Sequence, residues 1–94
     1  MYEESPPGYT KCYAAHKQRL IGEGQILDCS ELERTARVWA LAELLFADTN
    51  KAARWLAKPQ RQLGGNSPLQ QLATLNGARQ VEHLLLQGFE GFVF

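Results

Sequence analysis

The cysteines and histidines are the residues of this chain best suited to do chemistry, and they are few. The 94-residue sequence has two of each: Cys12, Cys29, His16 and His83. Cys12 and His16 are spaced i, i+4, which on a helix would place them on one face as half of a metal site. A closed zinc site needs four ligands, and the other two candidates lie far along the chain without a partner motif. We therefore predict no bound metal, no cofactor, and cysteines that remain reduced.

Catalytic groups of the right type and spacing are also missing from the sequence. No serine or cysteine lies in a nucleophile elbow, and Gly64-Gly65 lacks the lysine and the strand of a phosphate-binding loop. Glu82 and Glu90 are too isolated to form an acid–base pair. His83 has the setting of an exposed polar position on a helix. We therefore expect a protein that is not an enzyme.

Composition and charge further narrow the kinds of protein that this chain can be. The hydrophobic fraction of 45% and the charged fraction of 21% are close to globular averages, and the length fits one small domain. Ten Lys+Arg balance ten Asp+Glu, whereas a protein that holds nucleic acid by its whole surface usually has a basic excess. A local basic patch stays open. No run approaches the roughly 18 apolar residues of a membrane span, and the acidic start is unlike a signal peptide, so we expect a cytoplasmic protein.

Helical periodicity runs through most of the chain, and no segment before Phe89 alternates with a period of two. This predicts an all-α fold, a small bundle of one long and several short helices with an apolar C-terminal tail. The long helix is expected to begin at a capping box formed by Ser30 and Glu33. The side chains expected in the core are Trp39, Phe46, Trp55, Leu56, Leu63, Leu72, Val81 and Leu85.

Shorter helices are marked by capping residues and breakers. Asp48 is a candidate N-cap, and Pro59 should end the helix that follows it. Ser67 can cap a further helix, with Gln70 completing a capping box. After a break at Asn76-Gly77, a final helix is expected to end at Gly88 as its C′ residue.

The carboxyl end has an unusual composition. Chain termini are normally frayed and polar, whereas residues 88–94 include Phe89, Phe92, Val93 and Phe94. One or two of these aromatic rings could fold back onto the helices as core filler. An apolar strip that stays exposed usually marks a partner surface. The residues themselves therefore predict a partner-binding tail.

A series of short motifs extends over residues 30–94. It comprises Leu32-Glu33-Arg34-Thr35-Ala36-Arg37-Val38, Lys51-Ala52-Ala53-Arg54-Trp55-Leu56, Pro59 with Leu63-Gly64-Gly65, Ser67-Pro68-Leu69, Gly77-Ala78, Val81-Glu82, Leu85 and Glu90-Gly91-Phe92. In order and spacing the series resembles the C-terminal toxin-binding domain of the Xre/MbcA/ParS antitoxin family. Ala47 is a departure, because the family commonly has glycine there.

The resemblance implies a bacterial type II antitoxin. Its partner would be a cognate toxin of the RES type, which consumes NAD, or of the ParT type, an ADP-ribosyltransferase. In the family the end of the antitoxin is inserted at or beside the NAD-binding cleft of the toxin. The matching positions here are Glu90, Gly91, Phe92, Val93 and Phe94. Arg54, Lys58, Arg61 and Arg79 would lie at the rim and tune the association rate and the choice of partner more than the affinity.

The resemblance also divides the chain. Residues 30–94 would be the toxin-binding domain, and residues 1–29 a leader and a short helix over residues 10–21, the remnant of a helix-turn-helix domain. A complete helix-turn-helix needs about three helices, so DNA binding by this chain alone is not expected. The alternative function is a small DNA-binding regulator of its own operon. The sequence leaves open whether the chain forms a homodimer.

Overall fold

The computed structural model describes residues 8–24 and 28–89, and over these ranges the chain forms five α-helices, one 3-10 turn and no strand. The elements are α1 (Tyr9–Glu23), α2 (Cys29–Phe46), α3 (Thr49–Ala57), the 3-10 turn (Arg61–Leu63), α4 (Pro68–Gln71) and α5 (Leu75–Phe89). The predicted all-α class is confirmed. The expected single long helix is not: α2 has 18 residues, but α1 and α5 reach 15 each.

Two of the predicted helix starts are formed by the expected side chains. The Asp48 carboxylate accepts hydrogen bonds from the backbone amides of Asn50 and Lys51, at 2.7 and 3.2 Å. Ser67 and Gln70 form the expected capping box at the start of α4. These caps satisfy amides that have no partner inside the helix, which is why their pattern can be recognised in the sequence.

Other predicted boundaries are wrong. The N-cap of α2 is Asp28, whose carboxylate accepts from the Glu31 amide at 3.1 Å, so Ser30 already lies in the first turn and the Ser30–Glu33 capping box does not form. Gly88 does not end α5, which continues to Phe89. Gly77 does not break the helix but lies in its first turn. A Cβ there would lie 2.0 Å from the Gln71 carbonyl oxygen, so this glycine permits a close backbone approach.

The main core is a cluster of buried side chains from α2, the 3-10 turn and α3 to α5. Its members are Val38, Leu41, Ala42, Ala52, Trp55, Leu56, Leu63, Leu72, Ala78, Val81 and Leu85. Six of the eight side chains expected in the core are therefore buried. The other two, Trp39 and Phe46, are half-buried and pack against the edge of this cluster. Trp39 also stacks on His16, and Phe46 contacts Trp55.

A smaller apolar cluster joins α1 to α2. Leu20 packs with Leu32 and Ala36, and Tyr13 covers them from the side. His16, in the middle of α1, reaches Glu43 near the end of α2, whereas Leu20, near the end of α1, packs on Leu32 near the start of α2. The contacts therefore run in opposite order along the two helices. Helix α1 is therefore packed antiparallel on α2. No helix of the described part of the chain is long and apolar enough to cross a membrane.

Candidate partner-binding surface

The predicted tail follows directly on a helix that is fixed in the main core. Ala78, Val81 and Leu85 form the buried side of α5, at 1%, 0% and 0% exposure. On the outer side Leu86 is 45% exposed, one turn before Glu90. The predicted tail residues Glu90, Gly91, Phe92, Val93 and Phe94 lie outside the described residues, so the structure brings none of them to a site.

A polar contact joins α5 to α2 and the start of α1. The Arg37 guanidinium lies 3.4 Å from the Glu82 carboxylate, with Tyr9 close to both. Burial raises the pKa of the Tyr9 phenol, and the charge of Arg37 opposes that rise. Burial alone would lower the pKa of Arg37, but Glu82 and Tyr9 keep it above its ordinary value. The sequence left Glu82 as an isolated carboxylate, because its partner is far away in the chain.

A second polar contact fastens α1 to α2. His16 is buried, and its Nε2 lies 2.5 Å from an oxygen of Glu43, whose other oxygen accepts from the Thr49 hydroxyl at 3.3 Å. The His16 ring stacks on Trp39 with centroids 5.3 Å apart, and the Arg19 guanidinium carbon lies 4.7 Å from the Trp39 centroid. His16 therefore joins α1 to α2 through Glu43.

The contacts of His16 decide whether Cys12 and His16, spaced i, i+4, can act together as metal ligands. Both residues lie on α1, but the His16 ring nitrogens face Glu43 and Arg19. The described residues contain no group of three or more cysteine, histidine or acidic side chains placed to hold a metal ion. Burial raises the pKa of the Cys12 thiol, which disfavours the thiolate that a metal would need.

A small open pocket lies between α2 and the start of α5, and two arginines line it. Arg34 donates to the carbonyl oxygens of Leu72 and Ala73 at 3.4 Å, and Arg37 pairs with Glu82. Both guanidinium groups are engaged in contacts within the protein, Arg34 with carbonyl groups after α4 and Arg37 with α5. We therefore assign the residues that line this pocket a structural role. The sequence could not reveal the Arg34 contact, since it joins residues 38 positions apart.

The predicted rim cations lie in exposed positions. Arg54 is on the side of α3 that faces away from the main core, and Arg61 begins the 3-10 turn. Neither forms an ion pair with another described residue. Both are therefore available to a partner, and their position relative to the tail lies outside what the structure describes. His83 is exposed, as predicted, and contacts Gln87.

Comparison with known proteins relates the sequence of this chain to a family. Residues 41–90 match the model of the antitoxin Xre/MbcA/ParS C-terminal toxin-binding domain. The chain is 43% identical over 65 residues to "Antitoxin Xre" of Pseudomonas putida KT2440, an alignment that covers 69% of this chain and 41% of that protein. The chain thus spans about two-fifths of the length of that relative. It belongs to the Xre/MbcA/ParS antitoxin family, by virtue of the C-terminal toxin-binding domain.

Proposed function

We propose that this protein is the antitoxin of a type II toxin–antitoxin system, which neutralises its toxin by binding it and catalyses no reaction. Membership of the family supports a toxin as the partner, and the name of the Pseudomonas putida relative supports the antitoxin role. We assign residues 30–94 to toxin binding and residues 1–29 to a leader and the helix α1. The protein acts in the cytoplasm, where a toxin that uses NAD finds its substrate.

The partner we propose is a toxin of the RES or the ParT type, which the antitoxin blocks with its tail. The observation that carries this proposal is the apolar composition of residues 90–94 directly after α5, a helix whose inner side is buried in the main core. A helix held in this way gives the short tail a fixed origin. Leu86, four residues before Glu90 in the sequence, is a further apolar side chain that is exposed.

Inhibition would be steric. Phe92, Val93 and Phe94 fill part of a cleft shaped for a dinucleotide, and NAD cannot enter while they are bound. Each large apolar side chain that leaves water there contributes about 1.5–3 kcal/mol. Arg54, Lys58, Arg61 and Arg79 are at the rim, where charges act on the rate of association and on partner choice more than on affinity.

Rescue of toxin-expressing cells tests the proposed tail mechanism. The cognate toxin is co-expressed with this protein or with the variant Phe92→Ser/Phe94→Ser. We expect the double variant to lose rescue and to keep the thermal unfolding temperature of the parent, because the change lies after α5. Full rescue by the double variant would overturn tail insertion.

A matched control separates the tail from exposed apolar surface in general. Ile21 on α1 is 53% exposed, so Ile21→Ser removes a comparable apolar side chain elsewhere. This variant should rescue as well as the parent. Incubating the purified toxin with NAD then distinguishes its class. A RES-type toxin consumes NAD without an acceptor protein, whereas a ParT-type toxin transfers ADP-ribose to a protein.

A further inference from the structure

The net charge of zero conceals an uneven distribution along the chain. Residues 49–81 contain neither aspartate nor glutamate, and their charged residues are Lys51, Arg54, Lys58, Arg61 and Arg79. The acidic residues are concentrated before this segment, from Glu3 to Asp48, with only Glu82 and Glu90 after it. A strongly basic surface can therefore exist on a protein without net charge.

Four of these five cations lie within eleven residues of chain at α3 and just after it. Lys51 and Arg54 are spaced i, i+3 on α3, Lys58 directly follows the helix, and Arg61 begins the 3-10 turn. All four are exposed. The opposite side of α3 is formed by Ala52, Trp55 and Leu56, which are buried in the main core and fix the orientation of the helix. We call Lys51, Arg54, Lys58 and Arg61 the α3 basic face.

The cations of α1 and α2 are in a different situation. Lys17 pairs with Glu33, Arg19 with Glu23, and Arg37 with Glu82, while Arg34 binds backbone carbonyl groups. No cation of the α3 basic face has an acidic partner within residues 8–24 and 28–89. The acidic group nearest in sequence, Asp48, binds the backbone amides at the start of α3 instead. The four cations therefore keep their ammonium and guanidinium groups free of ion pairs within the described residues.

The chemistry around these cations fits a polyanion better than a protein surface. A stable protein interface needs a dehydrated apolar centre, with aromatic or aliphatic anchors. The large apolar side chains exposed in the described residues are Ile21, Leu69, Leu75 and Leu86, and none of them is in α3 or the 3-10 turn. The neighbours of the cations are instead polar or small, such as Asn50, Ala57 and Gln62. Lysine, arginine and amide side chains are the usual donors to phosphate oxygens.

We propose that the α3 basic face binds the phosphate backbone of duplex DNA without reading its sequence. This contact needs no helix-turn-helix, because charge neutralisation and counterion release alone supply it. It is independent of the proposed function, and it gives the toxin-binding domain a second ligand. Arg54, Lys58 and Arg61 are shared with the proposed toxin rim, so DNA binding is measured without toxin. The decisive variant changes the two lysines, Lys51 and Lys58.

Fluorescence anisotropy with a labelled 20-base-pair duplex of arbitrary sequence tests the proposal, using the full chain without toxin in 20 to 200 mM NaCl. Four phosphate contacts give a slope of about −3 to −4 for log K against log salt concentration, at about 0.9 per contact. The variant Lys51→Gln/Lys58→Gln should reduce that slope by about 2 and weaken binding at the lowest salt by at least about tenfold. Circular dichroism checks that both variants fold.

The matched control removes the same charge from α1. Lys11→Gln/Lys17→Gln changes one exposed and one half-buried lysine on α1, and it should leave affinity and slope within about twofold of the parent. Absence of binding at 20 mM salt, or equal weakening by the two double variants, would overturn the proposal. So would equal affinity for polyglutamate of matched charge, because the ligand would then be acidic polypeptide. Rescue from the toxin is measured separately and does not depend on this result.

Discussion

The two sides of α2 are held by different kinds of interaction. Towards α3, α4 and α5 it contributes Val38, Leu41 and Ala42 to the main core, whose members are all hydrophobic residues and are at most 8% exposed. Towards α1 it contributes a small apolar cluster, together with the Glu43 carboxylate and the Trp39 ring. The main core depends on area removed from water, and the contact with α1 depends much more on charged and aromatic pairs.

We call α2 to α5, which form the main core, the body of the protein, and α1 the attachment. The family match over residues 41–90 covers α3, the 3-10 turn, α4, α5 and the end of α2, but not α1. The elements within the match are those that close the main core and position the end of α5. We infer that α1 can loosen from α2 while the buried side of α5 stays in the main core. Tyr9, at the start of α1, is the part of this helix that packs on the main core and lies near Arg37 and Glu82.

Shortening a fully buried leucine should produce the largest effect. Leu85 is 0% exposed in the main core, so Leu85→Ala leaves a cavity on the inner side of α5 and should lower the free energy of unfolding by about 2–5 kcal/mol. Urea denaturation followed by tryptophan fluorescence measures this change. The adjacent Leu86 is 45% exposed, and Leu86→Ala should cost less than about 1 kcal/mol. Similar losses for the two variants would contradict the assignment of the buried side of α5.

Removing the carboxylate that holds α1 should have a smaller and more local effect. Glu43→Ala takes the partner from the buried His16, at a cost of about 1–2 kcal/mol, because the Glu43 carboxylate is partly exposed to solvent. Hydrogen exchange of α1 amides should then accelerate roughly 5- to 30-fold, while α5 amides keep their protection.

The exposed pair on α1 provides the control. Arg19 lies 2.7 Å from Glu23, with both side chains close to 40% exposed or more. Glu23→Ala should therefore change exchange in α1 by less than about fivefold. If Glu43→Ala instead accelerated α1 and α5 equally, the two sides of α2 would unfold as one unit and the distinction between body and attachment would fail.

Features determined by neighbouring residues could be predicted from the sequence. Asp48 and Ser67 cap helices through amides two or three positions away, and Pro59 acts on the residue before it. Leu63 is buried beside two glycines with positive φ, as its pattern indicates. The capping box at Ser30 was wrong because Asp28, two residues earlier, offered an equally good acceptor.

Features that join distant positions could not be predicted. Nothing in the local pattern links His16 to Glu43 or Arg37 to Glu82, and the half-burial of Trp39 depends on the position of α1. Of the predicted partner-binding residues, Arg54 and Arg61 are exposed, and their role at the rim of a toxin stays a prediction. Residues 90–94 stay a prediction, supported by their composition and by the family resemblance.

The dependence of toxin binding on NAD tests the central claim most directly. Titration calorimetry of this protein into its purified cognate toxin gives the dissociation constant at a series of concentrations of a non-hydrolysable NAD analogue. If the tail occupies the dinucleotide cleft, the apparent dissociation constant rises in proportion to the analogue once the cleft is saturated. A dissociation constant that does not change at saturating analogue would contradict steric occlusion.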